Sequence, residues 1–324
     1  PFLTEHQTPH GTLPFHLIET EHFEPAIEEG MDRHNREIEA IINDPAEPSF
    51  DNTIVALEKS GALLNLVTTV FGNLLSAETS DELQAIAERM MPKLSEHSNN
   101  ITLNEALFAR IKQVYDRADL EAMDTEDRML LQTTYDGFIR SGANLNPEQK
   151  ERFRQLSSEL SVLTLRFSQN NLKETNSYEL PLQPDQLAGL PESALNAYAE
   201  TAKEKGQEGY IVTLQAPSFV PFMKYSQCRE LRQQLYMAYN TQCTHDNEYN
   251  NLEIVKKLVN LRLERAQLLG FSTAADYVLT RRMAENSGNV YQLLNQLLDA
   301  YAPTAHREVE EVTALAKELE GEDF

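Results

Sequence analysis

Histidine, cysteine and tyrosine are the side chains from which this sequence could build chemistry. His6 and His10 stand four residues apart, the spacing that sets two imidazoles on one helical face where they could share a metal ion. Pro9 lies between them and disturbs any helix there, and no glutamate follows His6 to act as the general base of a zinc protease helix. The pair reads as solvated tail residues, with an independent metal site as the weaker alternative. His22, His34, His97, His245 and His306 each stand alone on a helix flank or near a turn, so the sequence offers no histidine cluster. Cys228 and Cys243 lack the close pairing of redox or metal motifs, and His245, two residues after Cys243, does not make a catalytic dyad by nearness in sequence. Both read as buried or idle thiols of a reducing compartment. Tyr225, Tyr236 and Tyr239 could present hydroxyls to a ligand, although aromatic residues at helical spacing more often pack half-buried. The 12 glycines are not grouped as a phosphate-cradling loop requires, which excludes nucleotide cofactors of the Rossmann type. No residue is assigned a catalytic or metal-binding role.

The composition narrows the partners. A chain of 324 residues, 41% hydrophobic, can bury one large core or two ordinary ones. Its 51 acidic against 28 basic residues give a net charge of -23, which repels nucleic-acid phosphates and anionic lipid surfaces. No stretch approaches the continuous apolar length that spans a bilayer, and the N-terminal PFLTEHQTPHG lacks a basic region followed by an apolar run. The expected location is the cytoplasm, with the periplasm as the alternative.

The elements that must position any site are helices. Phe23, Ile27, Met31, Ile38 and Ile42 share one face of a helix for which Thr20 is the expected cap. FDNTIVALEKSGALLNLVTTVFGNLLS reads as one long strut begun by Asp51 or Asn52, Thr79 and Glu82 as a capping box, and Asn104 as the opening of another helix. A helix ending at Gly142 precedes Asn146, Pro147 and Gln149, a strong start signal. We place a domain boundary near Ala143, giving an N-terminal helical domain over 1–143 and a second helical region over 144–324. Between 178 and 214, YELPL and GYIVTLQ are short and β-prone and flank a helix of their own. Helices then resume over 218–226, 228–241 and 252–269. Gly270 should close the last of these in the left-handed conformation, and Ser272 or Thr273 should cap its successor. A final helical stretch from Gly288 to Glu320 should break at Pro303. The fold class is mainly α, a multi-helix elongated shell with a small β element around residues 178–214.

Four segments together resemble one family. PFLTEHQTPHGTLPFHLIETEHFEPAIEEGM, FDNTIVALEKSG, NEALFARI and LRLERAQLLGFSTAADYVLTRRMAENSGNVYQLL are similar to the non-catalytic N-terminal half of the thimet oligopeptidase family of zinc metallopeptidases. The peptidyl-dipeptidase branch is the nearest and the oligopeptidase A branch its neighbour. The resemblance implies a helical enzyme split by a deep channel, with zinc held by a His-Glu-x-x-His helix and a later glutamate. In such a site zinc polarises the water and the scissile carbonyl while the glutamate moves the proton. Neither the motif nor its companion glutamate segment occurs in residues 1–324, so no such role is carried onto any residue here. The resemblance thus implies a fragment that forms channel wall for an oligopeptide substrate, is inactive alone, awaits its C-terminal catalytic half and could self-associate. Zinc would belong to the full-length enzyme. The rival is a non-catalytic helical peptide-binding or scaffold protein.

Overall fold

The computed structural model describes residues 1–4 and 8–322. By its internal contacts the chain divides into two compact units, Pro1–Leu261 and Arg262–Phe324, and the position near Ala143 lies inside the first.

Helix α1 (Phe23–Ile42) buries Phe23, Ile27 and Ile38 of the expected face, with Ile41 buried rather than Ile42; Met31 and Ile42 are only partly buried. Thr20 does not cap it. A 3-10 turn over Thr20–His22 comes first, and the Glu19 amide donates to His22 Nδ1 at 2.9 Å. The next apolar run is not one strut. Ser49, rather than Asp51 or Asn52, caps a π-helical turn over Phe50–Val55, its hydroxyl accepting the Asn52 amide while Asn52 Oδ1 accepts the Ser49 amide. Helix α2 (Ala56–Lys59) then ends at a Ser60–Gly61 corner, where Gly61 takes φ +69°, before α3 (Ala62–Ala77) begins. By length and composition Phe50–Ala77 could cross a bilayer, contrary to the expectation that no stretch approaches that length. The corner interrupts it, and Leu64, Val67, Val70 and Phe71 are buried in the core. At Gly30 an added Cβ would lie 3.0 Å from Leu64 Cα, so any larger residue would have to push the α3 backbone back by a few tenths of an ångström.

Helix α4 (Asp81–Thr102) is capped by Ser80, one residue past the expected Thr79, and runs on through Pro92. Asn104 caps α5 (Glu105–Arg117) and Asp124 caps α6 (Thr125–Arg140). The 31-residue α7 (Pro147–Ser177) opens on the expected capping box, the Gln149 amide donating to Asn146 Oδ1 and the Asn146 amide to Gln149 Oε1 at 2.9 and 3.2 Å. Phe23, Ile27, Val67, Phe71 and Met90 centre one core; Ile54, Leu107, Ile111 and Leu131 centre a second. Exposed pairs Arg89–Glu24 and Lys93–Glu28, each 2.6 Å, fasten α4 to α1 along their outer edge.

The β element is a two-stranded antiparallel sheet. Strand β1 (Leu180–Leu182) pairs with β2 (Tyr210–Val212), Leu180 opposite Val212, and α8 (Glu192–Glu204) connects them. With α9 (Ala216–Tyr225) and α10 (Arg229–Asn240) they enclose a third core around Tyr198, Val212, Phe222 and Leu235. Tyr198 fits there because its hydroxyl donates to the Ser218 carbonyl at 2.9 Å, and burial pushes its pKa up to about 12.

Helix α11 (Leu252–Leu268) carries the division between the two units, and its end follows the sequence closely. Gly270 has φ +87°, and the Phe271 and Gly270 amides donate to the Ala266 and Gln267 carbonyls, a Schellman closure. Thr273 caps the short α12 (Ala274–Leu279). Across this corner Phe271 meets Tyr277 edge to face at 5.3 Å, with the Arg265 guanidinium 6.0 Å from the Tyr277 ring. Helix α13 (Ser287–Glu320) is continuous through Pro303, where a break was expected. One proline removes one hydrogen bond, and QLLDAYA just before it and EEVTALAKELE two turns after it are rich in strong helix formers.

Candidate functional site

The C-terminal half of α7 provides the most chemically organised surface. Along this helix Phe153, Leu156 and Leu160 make an apolar inward stripe, and the buried residues farther along it are Gln169, Asn170 and Glu174. Asn170 and Glu174, with the neighbouring Thr175, hold the loop between α10 and α11. Asn170 Nδ2 donates to Asn251 Oδ1 at 2.9 Å, Asn251 Nδ2 donates to the Phe167 carbonyl at 3.1 Å, and Gln242 Nε2 donates to Thr175 Oγ1 at 2.9 Å. Glu174, 8% exposed, accepts the Cys243 amide on Oε2 at 2.7 Å. That amide faces the carboxylate because Cys243 takes a left-handed φ of +57°.

A concavity of about 670 Å³ opens beside this anchor, lined by Glu174, Tyr178, Glu179, Met237, Thr241 and His245 among others. His245 Nε2 lies 3.8 Å from Glu174 Oε1 and 3.2 Å from Thr241 Oγ1. The Thr241 hydroxyl gives its one hydrogen to the Met237 carbonyl at 2.7 Å, which assigns the shared proton to the imidazole. Burial and Glu174 push the Cys243 thiol up to about 11, so the thiolate that nucleophilic chemistry needs is scarce at neutral pH. The pocket thus offers an acidic floor, a histidine donor and the apolar Met237 side chain, and no activated nucleophile.

The three tyrosines lie on α9 and α10. Tyr225, Tyr236 and Tyr239 are 43%, 52% and 41% exposed, more than half-buried packing would leave. Tyr239 stacks on Phe219 at 4.2 Å and Lys224 sits 5.0 Å from the Tyr225 ring centre. With Val220 and Met237, also exposed, they give this face an aromatic and apolar character.

The histidines are not all solitary. His34 of α1 and His97 of α4, 63 residues apart, meet with Nδ1 and Nε2 3.0 Å apart, and His34 Nε2 lies 3.2 Å from Ser60 Oγ. Ser60 donates its hydrogen to the Leu57 carbonyl at 2.6 Å. His34 therefore donates from Nε2 to Ser60 and accepts on Nδ1 from His97, with both rings neutral. Burial holds both imidazoles below the ordinary histidine value; Glu37 opposes this at His34, and His34 itself adds to it at His97. Glu37 also accepts the Gly61 amide at 2.7 Å. Reading each histidine as a lone surface or cap residue fails here because the contact joins two helices far apart in sequence. His22 is a cap, as expected. His10 and His306 are exposed, and His6 lies outside the described residues. Among the described residues no three His, Cys, Asp or Glu side chains converge as a metal set.

Neither Glu174 nor the histidine pair was found by motif. The available signal was an inward helical stripe on α7 that turns from apolar to polar without changing period.

Residues 222–323 match the model of Peptidase family M3. Over 323 residues, 99% of this chain and 47% of the relative, the sequence is 32% identical to a dipeptidyl carboxypeptidase of Escherichia coli (strain K12). Over 307 residues, 93% of this chain and 45% of the relative, it is 31% identical to an oligopeptidase A of Haemophilus influenzae. A probable cytosolic oligopeptidase A of Arabidopsis thaliana is 27% identical over 312 residues, 94% of this chain and 44% of its own length. The chain thus spans about half the length of these relatives, and the half it matches is the N-terminal one.

Proposed function

Because the chain belongs to peptidase family M3, we propose that it is the substrate-enclosing part of a zinc peptidase that hydrolyses oligopeptides and releases C-terminal dipeptides. The observation that carries this reading is the collinear match at 32% identity over 99% of the chain but only 47% of a dipeptidyl carboxypeptidase. We assign residues 1–143 and 144–324 to the two regions of this part, and the cytosol as its compartment, after the relative named as cytosolic. Nucleic acid and membrane surfaces are not its partners, on the strength of a net charge of -23.

The described residues do not suit zinc, since no three candidate ligands converge among them. Ligands for a zinc ion would come from the half of the relatives that this chain does not match. The present part contributes by shape and binding. A wall admits an extended chain and rejects a folded one, and the acidic pocket at Glu174 and His245, with the exposed Tyr225, Tyr236 and Tyr239, supplies contacts for a peptide.

On α13, Tyr291, Leu294, Leu298, Tyr301, Val312 and Leu319 form an exposed apolar stripe at helical spacing. In this reading the stripe packs against the remaining half of the enzyme, and in the isolated chain it is open to a second copy. The test is to read the encoding frame beyond Phe324 and assay its full product on a peptide with a free C-terminus. A His-Glu-x-x-His helix and stepwise loss of dipeptides, with no cleavage by residues 1–324 alone, are expected. A full product without that motif, or cleavage by this chain by itself, would defeat the proposal.

A further inference from the structure

A groove of about 800 Å³ runs between α4 and the N-terminal half of α7. Helix α4 contributes Glu96 and Asn99 to it, and α7 contributes Glu151, Arg154 and Glu159. Its lining extends from Pro92 to Asn100 on α4 and from Glu151 to Val162 on α7, roughly 12–16 Å at the helical rise. That length takes about four residues of extended chain. From Val162 to Glu174, α7 rises roughly 18 Å, so this groove is separate from the Glu174 pocket.

Two features point to its occupant. The first is Asn99, which lines the groove although only 7% of it is exposed. Its carboxamide forms no hydrogen bond among the described residues, yet neither amide atom is sealed from solvent. Buried polar groups are nearly always paired, so this amide suits a ligand that both donates to its oxygen and accepts from its nitrogen. One residue of an extended peptide presents that combination, its N–H and C=O pointing to the same side. The second feature is charge. Lys93 is already paired with Glu28 at 2.6 Å, and Arg154, the other cation of the lining, donates from Nη1 to Asn100 Oδ1 at 2.5 Å. Glu96, Glu151 and Glu159 take no cation among the described residues. Both rims are therefore acidic, and a cationic partner is favoured.

We propose that this groove binds a basic stretch of extended peptide, laid edge-on with its backbone on Asn99. In that pose the side chains, which alternate about an extended backbone, point in turn toward α4 and toward α7. Adjacent basic residues then reach Glu96 on one rim and Glu151 or Glu159 on the other. A polyamine carries the charge but has no peptide unit, so it leaves the Asn99 nitrogen unsatisfied and binds less well. An acidic peptide has the backbone but meets like charge on both rims. Asn99 and the acidic rims carry this assignment without the peptidase reading, and binding by residues 1–324 needs no cleavage, so the two ideas fail separately.

The experiment is fluorescence anisotropy of this chain with fluorescein-labelled Ala-Arg-Arg-Ala amide, its Ala-Glu-Glu-Ala counterpart, a form of the arginine peptide N-methylated at both arginines, and spermidine as competitor. The arginine peptide should bind one per chain, the glutamate peptide should not, and the N-methylated form and spermidine should both be weaker. Asn99→Leu should weaken the arginine peptide by about tenfold, the scale of two hydrogen bonds. The same variant should keep or raise the melting temperature, because the amide it removes is unpaired in the free chain; a merely structural Asn99 would lower it. Glu96→Gln with Glu159→Gln, both at exposed positions, should weaken the peptide severalfold. Absence of binding overturns the proposal. So does binding that is indifferent to Asn99→Leu, or equal for the arginine and glutamate peptides. If Asn99→Leu fails to fold, the N-methylated peptide and the Glu96, Glu159 variant decide.

Discussion

At the scale of single residues, the His34–His97 pair carries the clearest pH dependence. Each ring is neutral in the folded chain, and burial lowers both pKa values from the ordinary 6.5. In the unfolded chain the same rings protonate as pH falls through 6.5. The unfolded state then binds more protons than the folded one, and stability decreases with falling pH. Above 6.5 the pair costs nothing. The loss starts there and continues until the folded rings protonate in turn, when His97 Nε2–H and a protonated His34 Nδ1 would oppose each other. The carboxylates of Glu24, Glu29 and Glu179 are held low by cationic partners; their stabilisation is lost only as pH falls below the usual carboxylate value, in a more acidic window. A His34→Gln, His97→Gln double variant should therefore lose less melting temperature than the parent between pH 7 and pH 5.5. Equal losses would show that the pair does not set this limb of the curve.

At the scale of elements, the two helix corners separate what sequence can reveal from what it cannot. Gly270 closes α11 by local rules, with a left-handed glycine, two Schellman bonds and a Thr273 cap, and all of these are legible as LLGFST. The Asn146–Gln149 box on α7 is local in the same way. Gly61 sits in EKSGALL, equally available to a helix or a break, and the outcome depends on distant groups: Glu37 takes its amide, and the His34 ring lies 2.9 Å from where a Cβ would stand. Pro92 and Pro303 show the converse, since neighbouring turns keep α4 and α13 intact around a residue that usually ends a helix. The Glu174 anchor was hidden for a related reason. One glutamate in a polar stretch is ordinary until Cys243, 69 residues on, turns its amide toward it. The corners also differ in what they tolerate. Gly270→Ala meets only left-handed strain, about 1–2 kcal/mol, because nothing lies within 4 Å of the added methyl. Gly61→Ala meets the same strain and displaces His34 as well, so it should destabilise more. Urea denaturation of the two variants checks the order, and equal losses would remove the claim that His34 packs rigidly on the corner.

For the whole molecule, two opposing long-range terms meet on the surface. The net charge of -23 makes any two copies repel, whereas the apolar stripe from Tyr291 to Leu319 on α13 favours covering. The repulsion acts through solvent and is screened within about 10 Å at 0.1 M salt, while burial of apolar area is not screened. Self-association of this chain should therefore strengthen as salt rises from about 0.02 to 0.3 M, a range over which the Debye length falls severalfold. Association through scattered ion pairs would instead weaken over the same range. Leu298 is 63% exposed, so Leu298→Glu should leave the fold intact while placing a charge in the middle of the stripe. Sedimentation velocity on both proteins at both salt concentrations resolves the matter: the parent should shift toward a faster species with salt and the variant should remain monomeric. If the variant associates as the parent does, the α13 stripe is not the surface that seeks a partner, and the proposed seat for the other half of the enzyme loses its physical basis.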